Sequence, residues 1–273
     1  MNPVRVHRDI VVAGNYCHDS LLGAEDRGEL GGSAAYASAV LRAAGVDFAV
    51  VAKVGEDFRY ADRVPPALVV PGARTTSFVH DYRRGDRIEA LLAAAPALAP
   101  EDLREPCAVG MAVAVAGEIP VPTLLRLREL SRVLVADAQG FVRGFDPSGR
   151  VLHLPPPPDM LEALERVDYL KVGRAEADSL DLHRLRRSCT ILVTDGPRGS
   201  TILSSSGETH VPAFPAHEVD PTGAGDCFLA GFSIGLLRNW PIPRAALLGN
   251  WCGARATEVF GIPELGTLPV TLD

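Results

Sequence analysis

Residues 219–237 read VDPTGAGDCFLAGFSIGLL, and everything after Cys227 has the composition of a buried helix. Two aspartates and two glycines stand at the mouth of that apolar segment. In DPTGAGD, Gly223 and Gly225 remove side chains where the backbone turns into a helix. The free amides of Gly223, Ala224, Gly225 and Asp226 then converge at the positive end of the helix dipole. That geometry suits phosphate oxygens. Asp226 falls in the first turn, where the dipole favours a carboxylate. From there it can accept the proton of a substrate hydroxyl as that hydroxyl attacks phosphorus, while the amides stabilise the transferring phosphoryl group. Asp220 precedes the proline and is expected to orient the loop or a metal-bound water. Simple capping of a buried helix calls for one such aspartate, whereas seven residues of this composition describe a site.

The rest of the chain is compatible with an enzyme built around that site. At 273 residues it can bury a large core. Hydrophobic residues make up 47% and charged residues 22%, as in ordinary globular proteins. A formal net charge of −7 argues against nucleic acid as the main partner, because phosphate-backbone binding leaves a basic footprint. The five cysteines (17, 107, 189, 227 and 252) are odd in number and lack CxxC spacing, so neither a disulfide framework nor a zinc site is expected. The opening MNPVRVHRD is too polar for a signal peptide, and the longest apolar run, CAVGMAVAVAG (107–117), is about half of a membrane span. A cytoplasmic protein without membrane partners is expected.

Apolar β-type runs alternate with helical ones. DIVVA (9–13), FAVVAKV (48–54), AVGMAVAVA (108–116), RVLVAD (132–137), DYLKV (168–172) and CTILVT (189–194) read as buried parallel strands. SAAYASAVLRAAG (33–45), PVPTLLRLRELS (120–131) and PPDMLEALERV (157–167) read as helices, with Ser33 as N-cap of the first. The alternation predicts an α/β fold, a Rossmann-like doubly wound and mostly parallel sheet with helices on both faces. Residues 75–95 break the rhythm. TTSFVHDYRRGDRIEALLAAA alternates polar and apolar residues around RRGD, a hairpin signature. Such a hairpin is either an extension of the sheet edge or a flap over a site.

Taken together, DPTGAGDCFLAGF, GGSAAYASAVLRAAGV (31–46), KVGEDF (53–58), VTDGPRGSTI (193–202) and AALLGNWCGARAT (245–257) resemble the signatures of the ribokinase-like (PfkB) carbohydrate kinases, in the right order. The resemblance implies a single kinase domain over residues 1–273, with ATP and Mg²⁺, a substrate hydroxyl as nucleophile, and residues 75–95 as part of a small β-sheet lid. It also allows a monovalent cation such as K⁺, and either a monomer or a homodimer. VVAGNYCHDSLL (11–22), KVGEDFRY (53–60), GMAVAVAGEI (110–119) and FDPSG (145–149) narrow the resemblance to the myo-inositol kinases of plants, next to which the C-terminus is short. The implied reaction is ATP plus myo-inositol giving inositol 3-phosphate and ADP. The alternatives are a kinase of another sugar or nucleoside on the same fold, and a non-catalytic polyol or nucleotide sensor.

Further site residues follow from the same pattern. Asn15 and Asp19 belong to GNYCHD, where the family places an acidic residue against substrate hydroxyls; Asp19 otherwise reads as a turn aspartate. Gly32 and Ser33 open a helix that the family points at the substrate. Asp57 in VGEDF is either a hydroxyl ligand or a helix cap. Arg143, with Gln139, follows a strand at its carboxyl end, where open α/β sheets place ligands; it holds phosphate, closes the pocket, or is a surface arginine. Thr194, Gly196 and Gly199 in VTDGPRG are expected at the nucleotide, since a strand end and tight turn let backbone approach phosphate. Asn250 is an adenine-pocket residue or ordinary helix packing.

Two departures from the family stand out. Its Asn-x-x-Glu pair reads GRAE here, leaving Glu176 to order Mg²⁺-bound water without the asparagine, because Gly173 stands in that place. Tyr36 replaces an asparagine common in sugar kinases, which points away from ribose and fructose. There is no GxxxxGK[ST] P-loop, GAGDCF has Phe228 in place of the third glycine of a dinucleotide fingerprint, and the seven histidines are scattered without metal spacing.

Overall fold

The computed structural model describes residues 7–22, 27–81 and 88–269. In chain order its strands are β1 (Arg8–Ala13), β2 (Cys17–Leu22), β3 (Arg27–Gly31), β4 (Phe48–Val51), β5 (Lys53–Val54), β6 (Leu68–Val69), β7 (Thr76–Asp81) and β8 (Ile88–Ala93). The remainder are β9 (Cys107–Ala112), β10 (Ser131–Asp137), β11 (Arg143–Phe145), β12 (Val151–His153), β13 (Tyr169–Gly173), β14 (Thr190–Thr194), β15 (Ser200–Ser204) and β16 (Gly207–Val211). The helices used below are α1 (Ser33–Ala43), α2 (Val121–Leu130), α3 (Gln139–Val142), α4 (Pro158–Leu164), α5 (Leu182–Leu185), α6 (Ala224–Leu237) and α7 (Ile242–Ala256).

Eight strands form the central sheet in the order β16-β15-β14-β13-β10-β9-β1-β4. Pairing is parallel from β4 to β14 and antiparallel at β15 and β16. This is the doubly wound sheet expected from the alternation of apolar runs. Successive side chains point to opposite faces, so Ile10 and Val12 enter one buried cluster with α1, α6 and α7. Val11 and Ala13 enter the other, with α2, α4 and α5. Because both faces are covered, these strands read in sequence as unbroken apolar runs.

α6 lies between α1 and α7, which explains why Cys227–Gly235 are buried all the way round. Glycine sets its start. Gly223 adopts φ 78°, ψ −3°, a left-handed conformation that glycine tolerates, and a Cβ there would stand 2.1 Å from the Tyr36 ring. The helix ends two residues before Asn239, which takes φ 54°.

The second sheet differs from the hairpin read over 75–95. β7 and β8 do pair antiparallel, but they are half of a four-stranded sheet, β3-β2-β7-β8, in which β2 runs parallel to β7. The RRGD turn lies outside the described residues. Asp19 is accordingly a strand residue of β2 rather than a turn aspartate. Residues 48–54 also divide into β4 and β5 instead of continuing as one strand. The Lys53 amide donates to Asn15 Oδ1 at 2.7 Å, and β5 leaves to pair with β6.

Candidate active site

The loop 220–226 enters α6 with its shape fixed from within. Asp220 Oδ1 accepts from the Thr222 amide at 3.0 Å and from the Thr222 hydroxyl at 2.7 Å. Of the two roles expected for Asp220, this geometry supports loop orientation. The Ala224 amide turns back to the Pro221 carbonyl at 3.3 Å. The Ala224 amide is thereby spent within the loop and is not a free donor.

Two cavities flank this loop, and Gly225 lines both. The first measures about 180 Å³. Its core wall carries Gly32, Ser33 and Tyr36 from the start of α1, together with Arg143, Lys171 and Asp226. Its opposite wall carries Asp19, Phe78, His80 and Glu89 from the four-stranded sheet. Two buried atoms on facing walls have no hydrogen-bond partner, the acceptor Asp19 Oδ1 and the donor Arg143 Nε. A cavity walled by carboxylates, an imidazole and a guanidinium, with both a donor and an acceptor unspent, fits a molecule bearing several hydroxyls.

Asp226 is the carboxylate best placed to remove a proton there. Burial and the nearby Asp137 charge push its pKa up to about 7, against the opposing pull of Lys171, the Ser33 hydroxyl and Arg143. A base tuned to neutral pH is what proton transfer in the transition state requires. Beneath it, Lys171 Nζ donates to both oxygens of Asp137, at 3.1 and 3.0 Å. The two residues face each other across β10 and β13. Burial works against the Lys171 ammonium, but the Asp137, Glu176 and Asp226 carboxylates outweigh it and hold its pKa above the ordinary lysine value. The ammonium abuts the loop, since a Cβ on Gly225 would stand 2.7 Å from Nζ.

The second cavity, about 470 Å³, opens on the other side of the loop. Thr194, Gly196 and Gly199 border one end, and Phe214, Pro215, Ala254 and Asn250 border the rest. Asn250 Nδ2 donates to the Val211 and Pro212 carbonyls at 3.1 and 2.8 Å, which pins the 212–216 segment over the cavity. The lining is partly apolar, with Phe214, Pro215, Ala254 and Phe228 beside Gly225.

Most of the residues singled out from sequence meet at these two cavities. Asp19, Gly32, Ser33, Arg143, Gly223 and Asp226 line the first, while Thr194, Gly196, Gly199, Ala224 and Asn250 line the second. Three expected residues lie elsewhere. Asn15 is fully buried and lines neither cavity; its backbone amide donates to Glu118 Oε1 at 3.0 Å and its Oδ1 accepts from the Lys53 amide, while its Nδ2 has no hydrogen-bond partner. Asp57 Oδ1 accepts from the Thr75 amide and hydroxyl at 2.8 and 2.7 Å, so it pins a loop rather than facing a ligand. Glu176 Oε2 accepts from the Gly173 amide at 2.7 Å and lines neither cavity. No three metal-ligating side chains cluster among the described residues. The donor set does not fit a resident Mg²⁺; it fits only an ion carried by a polyphosphate, the usual habit of Mg²⁺.

His80, Glu89, Lys171 and Asp137 were not anticipated. The signal for His80 was present in TSFVHD, whose burial alternates so that Thr76, Phe78 and His80 share a face. Arg143 reaches Glu89 at 3.1 Å, making it a pocket-closing residue rather than a surface arginine. His18, next to Asp19, points the other way and stacks on Phe58 at 5.7 Å.

The profile of the pfkB family carbohydrate kinases matches residues 16–264. The inositol 3-kinase of Oryza sativa subsp. japonica is 42% identical over 279 residues, covering 93% of this chain and 69% of its own length. That of Arabidopsis thaliana is 37% identical over 279 residues, covering 96% and 78%. Among solved structures, a pyrophosphate-dependent kinase in the ribokinase family, complexed with a pyrophosphate analog and myo-inositol, superimposes with a TM-score of 0.77 at 22% identity over 93% of this chain and 97% of that one. The Burkholderia thailandensis nucleoside kinase in complex with inosine gives 0.76 at 18% identity over 94% and 93%. The sheet order, the matched family profile and the identities thus agree, and the chain belongs to the pfkB family of carbohydrate kinases.

Proposed function

We propose that this chain is an inositol 3-kinase, transferring the γ-phosphoryl group of ATP to a hydroxyl of myo-inositol. One observation carries the reading: a small polar cavity and a larger, partly apolar one meet at Gly225, with Asp226 on the polar side. A hydroxyl in the first cavity and a terminal phosphate in the second would approach each other across the loop. The identity of 37–42% to plant inositol 3-kinases over most of the chain supports myo-inositol as the acceptor. The apolar depth of the second cavity supports a nucleotide donor over pyrophosphate, which has no base to fill it.

The mechanism follows from the chain's own groups. Asp226 takes the hydroxyl proton as oxygen attacks the γ-phosphorus, and the Gly223, Gly225 and Asp226 amides meet the charge on the transferring group. Asp19 and Arg143 hold the acceptor, Gly32 and Ser33 bound its floor, and Lys171 keeps the Asp137 charge neutralised under the base. Thr194, Gly196, Gly199 and Asn250 frame the nucleotide. Mg²⁺ carried by the ATP phosphates would supply charge neutralisation there, with no side chain of this chain assigned to hold it. The chain acts as one kinase domain, with the sheet β3-β2-β7-β8 as a lid that keeps water from competing as acceptor.

The test is ADP release with MgATP or pyrophosphate, with and without K⁺, across myo-inositol, ribose, fructose and adenosine, with Asp226→Asn alongside. Turnover on myo-inositol and ATP, lost by at least about 10³-fold in the variant while ATP still binds, is expected. Turnover confined to ribose or adenosine would overturn the acceptor, and wild-type turnover in the variant would overturn the base.

A further inference from the structure

The acceptor cavity has a charged wall that proton abstraction does not use. Glu89 of β8 and Arg143 of β11 form an ion pair across the gap between lid and core, with Arg143 Nη1 to Glu89 Oε1 at 3.1 Å and Nη2 to Oε2 at 3.4 Å. Both side chains are mostly buried, 12% and 18% exposed for Arg143 and Glu89, so water does little to screen or replace the pair. Arg143 is held from two further directions. Its Nη1 reaches the Val115 carbonyl at 3.5 Å, and its guanidinium lies over the Phe78 ring at 5.7 Å. Its Nε remains without a partner, as does Asp19 Oδ1 on the facing wall of the same cavity.

A carboxylate beside a guanidinium with an unspent donor recognises one functional group particularly well. A hydroxyl donates to the carboxylate and accepts from the guanidinium at once. A carbonyl can only accept, a methylene does neither, and a phosphate on the acceptor would be repelled by Glu89 and Asp19 together. The wall therefore selects a neutral molecule that keeps a hydroxyl away from the reacting end.

We propose that Glu89 is an acceptor-specificity residue: with Arg143 it binds a ring hydroxyl remote from the one that Asp226 deprotonates, so that the lid reads the polyol while the core phosphorylates it. This rests on the reading of the chain as a kinase of a cyclic polyol.

A substrate–mutant cycle tests it. Wild type, Glu89→Gln and the milder Glu89→Asp are each assayed with myo-inositol and with its monodeoxy analogues, reading kcat/KM for the acceptor and KM for ATP. Glu89→Gln is expected to lower kcat/KM for myo-inositol by roughly 10- to 100-fold, the range for loss of a hydrogen bond to a charged group, and to leave KM for ATP unchanged. For the analogue that lacks the remote hydroxyl, wild type already shows that loss, and Glu89→Gln adds less than about threefold. Glu89→Asp falls between, which separates lost recognition from lost folding. If the variant penalises every analogue as heavily as myo-inositol, Glu89 only holds the lid in place and the proposal fails. If wild type shows no turnover of myo-inositol at all, the kinase reading fails first, and that outcome is visible before any variant is made.

Discussion

At the scale of single residues, the proposed chemistry turns on Asp226, a carboxylate whose pKa burial raises toward neutrality. Because burial and Asp137 raise the Asp226 pKa to about 7, the base is largely protonated at pH 6 and cannot accept the acceptor's proton. kcat/KM for the acceptor should therefore fall about tenfold per pH unit below 7 and level off above it. The same shift has an opposite sign for stability. A carboxyl whose folded pKa lies above its unfolded value opposes folding as pH rises between the two, so the native state loses stability from about pH 4 to 7. Asp226→Asn removes that cost. It should raise the melting temperature by a few degrees at pH 8 and change it little at pH 4, while abolishing turnover. A melting curve that moves equally at both pH values would show that the carboxylate is not held against its charge. Asp226 was legible in sequence because glycines and a dipole-favoured acid have few other reasons to precede an apolar helix. Glu89 was not, since its burial comes from facing a cavity rather than from an apolar pattern.

Elements place these residues, and two features at element ends are open to test. The first is Gly223, where a left-handed φ of 78° coincides with a Tyr36 ring that leaves no room for a Cβ. Gly223→Ala should cost about 1–2 kcal/mol in urea unfolding from the backbone alone. It should lower kcat by about 10² or more, because the amides that meet the phosphoryl group move with it. Substituting Tyr36→Ala as well relieves the clash but not the φ, so rescue should be partial. The second is the Lys171–Asp137 pair, which joins β13 to β10 at their carboxyl ends. Lys171→Met leaves Asp137 charged and buried without its cation. It should destabilise by about 3–5 kcal/mol and move the acid limb of the rate profile to higher pH. A loss under about 1 kcal/mol with an unmoved profile would show that Asp137 takes up a proton at little cost. β10 and β13 themselves were evident as apolar runs, yet which residues of the two strands would face each other depends on sheet order, which local patterns do not carry. β2 and β3 were missed for a related reason: CHDSLL and RGELG are short and polar, because one face of this sheet looks into the cavity.

For the whole molecule, the question is how two layers trap a reaction between them. The core elements supply Asp226, the loop before α6 and the second cavity, while the four-stranded sheet supplies Asp19, His80 and Glu89. Besides polar contacts across the cavity, Leu30 packing into the core and the Leu91 amide bonding to the Gly149 carbonyl, the two layers meet in a small apolar cluster of Cys17, Phe78 and Val115, with Phe145 and Leu91 packed against it. Phe78 is 3% exposed and touches both layers, with the Phe145 ring at 6.4 Å and the Arg143 guanidinium over its face. Deleting a buried phenylalanine costs about 3–5 kcal/mol where the site cannot collapse. Here the cost should fall on docking of the lid, since the two large core clusters contain no part of Phe78. In Phe78→Ala the lid spends more time open, and water gains access to the phosphoryl group that closure would exclude. Hydrolysis of ATP without acceptor should rise relative to transfer by about tenfold, with the main unfolding transition nearly unchanged. An unchanged ratio of hydrolysis to transfer would mean that the four-stranded sheet binds the acceptor without controlling water, and its role would then be recognition alone.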